Sequence, residues 1–111
     1  MASPDPMQSH VLIVDDEDGV RQLVQRYFSS NGFRVSEAAD AASARRLLES
    51  EKIELVLLDI GLPGEDGLAL TRYLREHWHG AVIIVSGRGD PIERVIGLEI
   101  GADDYVAKPF E

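Results

Sequence analysis

The sequence contains no cysteine, so disulfide bonds, thiolate metal sites and cysteine nucleophiles are all excluded. Long apolar runs are also missing: no stretch approaches the ~20 residues that a membrane-spanning helix needs, and no signal peptide opens the chain. Basic residues are few, with 11 Lys and Arg against 20 Asp and Glu, giving a net charge of −9. Because such a chain repels phosphate backbones, we expect no direct binding to nucleic acid and no membrane association. A reducing cytoplasm is the natural compartment, although a lack of cysteine permits others.

The length of 111 residues predicts one domain. A hydrophobic fraction of 44% and a charged fraction of 28% are ordinary for a globular protein. Residues 1–9 carry two prolines and no periodicity, which indicates a disordered leader or a cloning remnant. We therefore expect the folded domain to occupy residues 10–111.

Short apolar runs rich in Val, Ile and Leu alternate with helical patterns along the chain. These runs are VLIV at 11–14, LVLL at 55–58, VIIV at 82–85 and YVA at 105–107. They are typical of strands in a parallel sheet that is buried on both faces. We predict the strands at residues 10–15 and 53–59, a more polar edge strand at 33–38, a strand ending at Ser86, and a last strand at 105–107. The resulting fold class is α/β, with a five-stranded parallel sheet, helices on both faces and right-handed crossovers.

Each buried run stops at a residue suited to phosphoryl chemistry. Asp15 and Asp16 follow the first run, Asp59 follows the second, Ser86 ends the third and Lys108 follows the last. Ligands of open parallel sheets bind just beyond the carboxyl ends of the strands. The sequence therefore predicts that three carboxylates, a hydroxyl and an ammonium group meet at one edge.

This set of groups has a coherent chemistry. Clustered carboxylates repel one another unless a cation lies between them, and a hard divalent ion with oxygen ligands, Mg²⁺ or Mn²⁺, meets that need. With Lys108 and the Ser86 hydroxyl nearby, the site is equipped to accept a phosphoryl group on one carboxylate. Glycines would let the backbone approach the anion closely, and they lie at positions 61, 64, 67, 87 and 89.

Every member of the set also has an ordinary interpretation when taken alone. The acidic run after the first strand can be a solvated helix start favoured by the helix dipole. Asp59 can open a loop, Ser86 can cap a helix, and Lys108 can be a solvated surface lysine. Their shared place at one edge of the sheet favours the functional interpretation.

Four longer segments carry a family resemblance. They are VLIVDDED at 11–18, LVLLDIGLPGEDG at 55–67, VIIVSGR at 82–88 and GADDYVAKPF at 101–110. Together they resemble the receiver domain of bacterial two-component response regulators, and the last is similar to the OmpR/PhoB-type subgroup. The resemblance implies the doubly wound, flavodoxin/CheY-like strand order 2-1-3-4-5. It also implies a winged-helix DNA-binding output domain, which is absent from this sequence.

The resemblance assigns the phosphoryl acceptor and the metal ligands. Asp59 matches the aspartate that takes a phosphoryl group from the phosphohistidine of a sensor histidine kinase. Asp16, Asp59 and the backbone carbonyl of Gly61 match the direct Mg²⁺ ligands, and Asp15 matches a ligand that acts through water.

The resemblance also assigns a conformational switch. Lys108 matches the lysine that pairs with the phosphate, and Ser86, followed by Gly87, matches the switch hydroxyl, where Thr is commoner in the family. Tyr105 matches the aromatic residue whose inward turn accompanies activation. The implied mechanism is that the new charge draws in Ser86, Tyr105 fills the space, and the surface of the fourth helix and fifth strand changes.

That surface is the implied homodimer face. Arg94 and Asp104 match its charged positions, whereas the fifth helix, which would carry their partners, is missing from the sequence. We therefore expect a truncated receiver with incompletely covered sheet surface, prone to self-association, domain exchange or lowered stability.

The favoured function is a phosphorylation-gated switch, which is not an enzyme in the usual sense because it catalyses only its own phosphoryl transfer and dephosphorylation. Two other functions are alternatives to it. A haloacid-dehalogenase-like phosphohydrolase needs a second aspartate two residues after its nucleophile, and here Gly61 stands at that position. A pseudo-receiver, acting as a constitutive interaction domain, would have lost part of its metal site, yet every member is present. The switch is the interpretation that the sequence favours.

Overall fold

The computed structural model describes residues 9–60, 67–86 and 91–107, excepting the side chains of residues 91–93 and 107. Within these ranges five strands alternate with four helices. In chain order they are β1 (His10–Val14), α1 (Asp18–Ser30), β2 (Arg34–Ala38), α2 (Ala41–Ser50), β3 (Leu55–Asp59), α3 (Gly67–His77), β4 (Ala81–Ser86), α4 (Pro91–Ile100) and β5 (Asp104–Ala107). None of the helices in the described ranges combines the length and the apolar character that crossing a bilayer requires.

The strands form one parallel sheet in the order β2-β1-β3-β4-β5. The predicted fold class and strand order are thus confirmed, and the more polar β2 lies at an edge as expected. Val14 pairs with Leu58 across β1 and β3, and Leu58 pairs with Ile84 of β4. This register aligns the carboxyl ends of the central strands at one edge of the sheet.

Strand boundaries differ from the predictions by one or two residues. β1 ends at Val14 rather than Asp15, because the Asp15 carboxylate accepts a hydrogen bond from the Glu17 backbone N–H at 2.9 Å and turns the chain. β2 starts at Arg34 and β3 at Leu55, each slightly later than expected. Apolar side chains outside the ladder, such as the buried Ile53, extend a strand pattern beyond its hydrogen bonds.

The main core lies between the sheet and helices α2 and α3. Alternate strand residues point to this face, and six of them are fully buried: Leu12, Val14, Val56, Leu58, Val82 and Ile84. Ala41 and Ala44 of α2 and Leu70 and Leu74 of α3 pack against them. This packing fixes the register of the strands, since a slip of one residue would turn every apolar side chain to the other face.

The other face of the sheet carries α1 and an open apolar groove. A cavity of about 520 Å³ lies between α1 and strands β1, β3, β4 and β5, with Asp15 and Asp59 among its lining residues. Leu23 and Tyr27 of α1 and Val106 of β5 also line it, and they are 58%, 65% and 38% exposed. Within the described residues, α1 leaves part of this face uncovered.

A side-chain hydrogen bond begins α2, and glycines end α1 and α4. The Asp40 carboxylate caps α2 by accepting a hydrogen bond from the Ser43 backbone N–H at 2.7 Å. This bond, assisted by the Ser43 side chain, holds the pKa of Asp40 below its ordinary value. Gly32 and Gly101 end α1 and α4 with φ angles of 90° and 138°, where the chain needs the left-handed region.

Candidate functional site

Four carboxylates meet at the carboxyl edge of the sheet. Asp15, Asp16 and Glu17 follow β1, and Asp59 ends the neighbouring strand β3. One carboxylate oxygen from each lies within 4.8 Å of those of the others. The structure thus brings together the three predicted acids and adds Glu17, whose place in an acidic run does not by itself predict a site.

The four acids form an acidic cluster whose members differ in exposure: Asp15, Asp16, Glu17 and Asp59. Asp15 is only 3% exposed and Asp59 is partly buried, whereas Asp16 and Glu17 are exposed. The cluster is therefore anchored on the sheet and open to solvent on one side. Such an arrangement gives a small ion access without moving the strands.

The loop between β1 and α1 is held by identifiable hydrogen bonds. The Asp15 N–H donates to the Ala38 carbonyl of β2 at 3.1 Å, and the Glu17 N–H donates to the Asp15 carboxylate. The Arg21 guanidinium donates to the Asp15 backbone carbonyl at 2.6 Å. The position of the acids is set by these contacts as well as by the end of the strand.

The donor set of the acidic cluster fits a hard divalent cation. Four carboxylates within 4.8 Å offer only acceptor oxygens, which repel one another until a cation lies between them. Mg²⁺ prefers carboxylate and carbonyl oxygens and usually keeps several water ligands, which the exposed side of the cluster allows. An acidic cluster of this kind is typical of Mg²⁺ binding.

Ser86 lies at the same edge of the sheet, at the end of β4. Asp59 pairs with Val85 across β3 and β4, so Ser86 lies one residue beyond the register partner of Asp59. Ser86 is 1% exposed. A buried hydroxyl one strand away from the acidic cluster is in a suitable place to respond to charge there.

Tyr105 lies on β5 and points into the core. It pairs with Ile84 and is 6% exposed, and its buried hydroxyl has no hydrogen-bond partner among the described residues. A Cβ added at Gly97 of α4 would lie 2.8 Å from Ile84 Cδ1 and 3.5 Å from Tyr105 Cδ2. The Tyr105 ring thus lies within ordinary van der Waals distance of the Gly97 position, and the close contact there is with Ile84.

The remaining predicted residues are placed or lie outside the described ranges. Gly61, Gly87 and Lys108 are outside them. Arg94 and Asp104 are exposed on α4 and β5, and the Asp104 carboxylate accepts a hydrogen bond from the Tyr105 N–H at 2.7 Å. Neither residue forms an ion pair with another described residue.

Comparison with known proteins identifies the domain. The family described as "Response regulator receiver domain" matches residues 11–111, nearly the whole chain. The chain belongs to this receiver family. A receiver domain is a signalling domain rather than a conventional enzyme.

Individual relatives support the same assignment. The TorCAD operon transcriptional regulatory protein TorR of Escherichia coli (strain K12) is 48% identical over 105 residues, which are 95% of this chain and 46% of TorR. TorR is an OmpR/PhoB-type response regulator, which confirms the subgroup expected from the sequence. The receiver domain spans about half the length of the curated relatives it matches.

Solved structures agree with the sequence relatives. The crystal structure of the TorR receiver domain matches with a TM-score of 0.87 and 48% identity, covering 93% of this chain and 86% of that one. The BeF3-activated N-terminal receiver domain of Klebsiella pneumoniae RstA matches with a TM-score of 0.89 and 32% identity, covering 93% of this chain and 88% of that one. The fold described above is thus that of a receiver domain.

Proposed function

We propose that this receiver domain accepts a phosphoryl group on Asp59 from the phosphohistidine of a sensor histidine kinase, in the cytoplasm and with Mg²⁺ or Mn²⁺ as cofactor. The observation that carries the proposal is the meeting of Asp15, Asp16 and Asp59 within 4.8 Å at the carboxyl edge of a parallel sheet. Of these acids, Asp59 is the one that ends a central strand and is neither fully exposed nor fully buried. A nucleophile needs that combination of rigidity and access.

The metal site is proposed to consist of Asp16, Asp59 and the Gly61 backbone carbonyl as direct ligands, with Asp15 acting through water. When bound, the divalent ion supplies positive charge that offsets the repulsion between the acids and the incoming phosphoryl oxygens. Asp15, held through its backbone and carboxylate, keeps the loop in place. Lys108 is proposed to pair with the phosphoryl oxygens from the other side.

The transfer is balanced in atoms and charge. A bond forms between phosphorus and an Asp59 carboxylate oxygen while the bond between phosphorus and the kinase imidazole nitrogen breaks. The imidazole leaves with the bonding electron pair and takes up a proton. Later hydrolysis of the acyl phosphate by water returns Asp59 to a carboxylate and releases inorganic phosphate, and we propose that the domain assists this reaction on itself.

The switch is proposed to involve Ser86, Gly87 and Tyr105. Ser86 is buried one strand from Asp59, so its hydroxyl can turn toward a phosphoryl oxygen without unfolding the strand. Tyr105 is buried on the neighbouring strand β5, and its hydroxyl has no hydrogen-bond partner among the described residues. Its place beside β4 supports a movement coupled to that of Ser86.

The output surface is proposed to be that of α4 and β5, used for homodimerisation. Apolar side chains are exposed there: Val95, Ile96 and Leu98 on α4, which are 59%, 42% and 39% exposed. Arg94 and Asp104 are the proposed charged positions at this face. Because TorR is named a transcriptional regulatory protein, we propose that the switch controls an attached DNA-binding output domain in the longer protein.

The proposal is tested by incubating the chain with Mg²⁺ and phosphoramidate and measuring its intact mass. We expect the mass of one phosphoryl group to be added to the wild type and the adduct to decay slowly. Asp59→Asn should abolish the adduct, because an amide oxygen is a poor nucleophile. Asp104→Asn is the matched control, since it makes the same chemical change outside the acidic cluster, and it should keep the adduct.

Two outcomes would contradict the proposal. Rapid release of phosphate with many turnovers and no adduct would indicate a phosphohydrolase. No adduct and no phosphate release under any Mg²⁺ concentration would indicate a pseudo-receiver that works without phosphorylation.

A further inference from the structure

Arg21 of α1 is a charged residue whose side chain is only 15% exposed. One of its terminal nitrogens donates to the Asp15 backbone carbonyl at 2.6 Å, and the other pairs with Asp18 one helical turn earlier. Its Nε lies 3.5 Å from a carboxylate oxygen of Glu37 on β2. A single guanidinium therefore connects the β1–α1 loop, the first turn of α1 and the edge strand.

These contacts match the donor geometry of arginine. The planar guanidinium presents its N–H groups in a fixed fork, so several acceptors in different directions can be held at once. A lysine has the same charge but a single ammonium centre, and it cannot reach all three acceptors in this arrangement. The geometry at Arg21 is thus a property of the fork rather than of charge alone.

The contact with Asp15 bears directly on the acidic cluster. The Asp15 carbonyl and the Asp16 N–H belong to one planar peptide group. The hydrogen bond from Arg21 therefore fixes the orientation of the peptide plane that joins Asp15 to Asp16. On the other side of Asp15, its N–H is held by the Ala38 carbonyl. Fixing the backbone on both sides of Asp15 limits the directions in which the Asp15 and Asp16 carboxylates can point.

Charge balance shows why Arg21 does not simply replace the metal ion. Its positive charge already faces the carboxylates of Asp18 and Glu37. The three residues together carry a net charge of −1, so this group adds no positive charge to the cluster. The contribution of Arg21 is therefore to geometry.

We propose that Arg21 is a positioning residue for the divalent cation. By holding the Asp15 carbonyl against α1 and β2, it keeps the β1–α1 loop in the conformation that binds the ion. The inference rests on the proposed function. Partners that orient metal ligands from outside the ligand set typically change metal affinity by roughly 10–100-fold when removed. Arg21→Lys, which keeps the charge, should therefore weaken Mg²⁺ binding about tenfold, at the lower end of that range because backbone contacts remain.

The experiment measures Mg²⁺ affinity by calorimetric titration of the folded chain at low and high KCl. Arg26→Lys is the matched control, since Arg26 lies on the same helix and is exposed. It should leave the affinity unchanged. The high-salt titration removes long-range charge effects, and the weakening by Arg21→Lys should persist there. The rate of phosphoramidate labelling at saturating Mg²⁺ should match the wild type, because only binding is affected.

The outcomes separate the two proposals. If the wild type binds Mg²⁺ and forms the Asp59 adduct while Arg21→Lys binds Mg²⁺ within twofold of it, the positioning role is wrong and the proposed function stands. If the wild type binds no Mg²⁺, both fail. Circular dichroism checks that Arg21→Lys is folded; if it is not, Glu37→Gln at high salt decides, with a smaller loss of affinity supporting the role and an unchanged affinity overturning it.

Discussion

Replacement of Gly97 by alanine tests how tightly α4 packs over Ile84 of β4. The added Cβ would lie 2.8 Å from Ile84 Cδ1, closer than van der Waals contact, and Ile84 is fully buried. Overpacking of a core in this way costs about 1–3 kcal/mol. Alanine in place of glycine within a helix raises the free energy of unfolding by roughly 0.5–1 kcal/mol. We therefore expect Gly97→Ala to lower the free energy of unfolding by about 0–2.5 kcal/mol.

Gly19→Ala on α1 separates the two contributions. A Cβ at Gly19 meets no atom within 4 Å, so only the gain in helix propensity remains, and this variant should be slightly more stable than the wild type. Urea unfolding followed by circular dichroism gives both values, with the slope m unchanged in each. If Gly97→Ala were stabilised as much as Gly19→Ala, the close packing of α4 against Ile84 would be refuted.

Two further predictions concern pH and self-association. Because hydrogen bonds from Ser43 lower the pKa of Asp40, the carboxylate cap stabilises the folded state above the ordinary pKa of 3.8, and this contribution is lost as the pH falls through the lower folded value. Asp40→Ala should therefore be less stable than the wild type at neutral pH, with the gap closing in acid denaturation experiments below pH 3.8. The open groove beside α1 should make the 111-residue chain self-associate as its concentration rises, and Val106→Gln should reduce this in sedimentation. A clean wild-type monomer over a broad concentration range would contradict that expectation.

The sheet could be predicted from sequence because its signal is local. Buried parallel strands are continuous apolar runs, and a run such as residues 82–85 is too short and too rich in β-branched residues for a helix. The meeting of Asp15 with Asp59 followed from topology alone, since carboxyl ends of parallel strands share an edge. Strand order came from the family resemblance rather than from periodicity.

Other features depend on contacts that no local pattern encodes. Arg21 lies three residues after Asp18, which suggests only an ordinary helix-surface pair, and its reach to Asp15 and Glu37 depends on how α1 packs beside β2. His10 is likewise buried, with its Nε2 2.7 Å from the Ser36 hydroxyl oxygen, because β1 and β2 pair along their length. The contacts of Arg21 and the burial of His10 are therefore both set by long-range packing.

The register between β1 and β3 has a consequence for how this site can change. The ladder between β1 and β3 ends at the pair Val14 and Leu58, and Asp15 and Asp59 each follow that pair by one residue, so core packing and carboxylate spacing depend on the same register. Substitutions that preserve core volume should leave the distance between acids untouched, even when many are combined. A shift of either strand by one position would disrupt the apolar core and the acidic cluster together, so we expect each to constrain how the other can change.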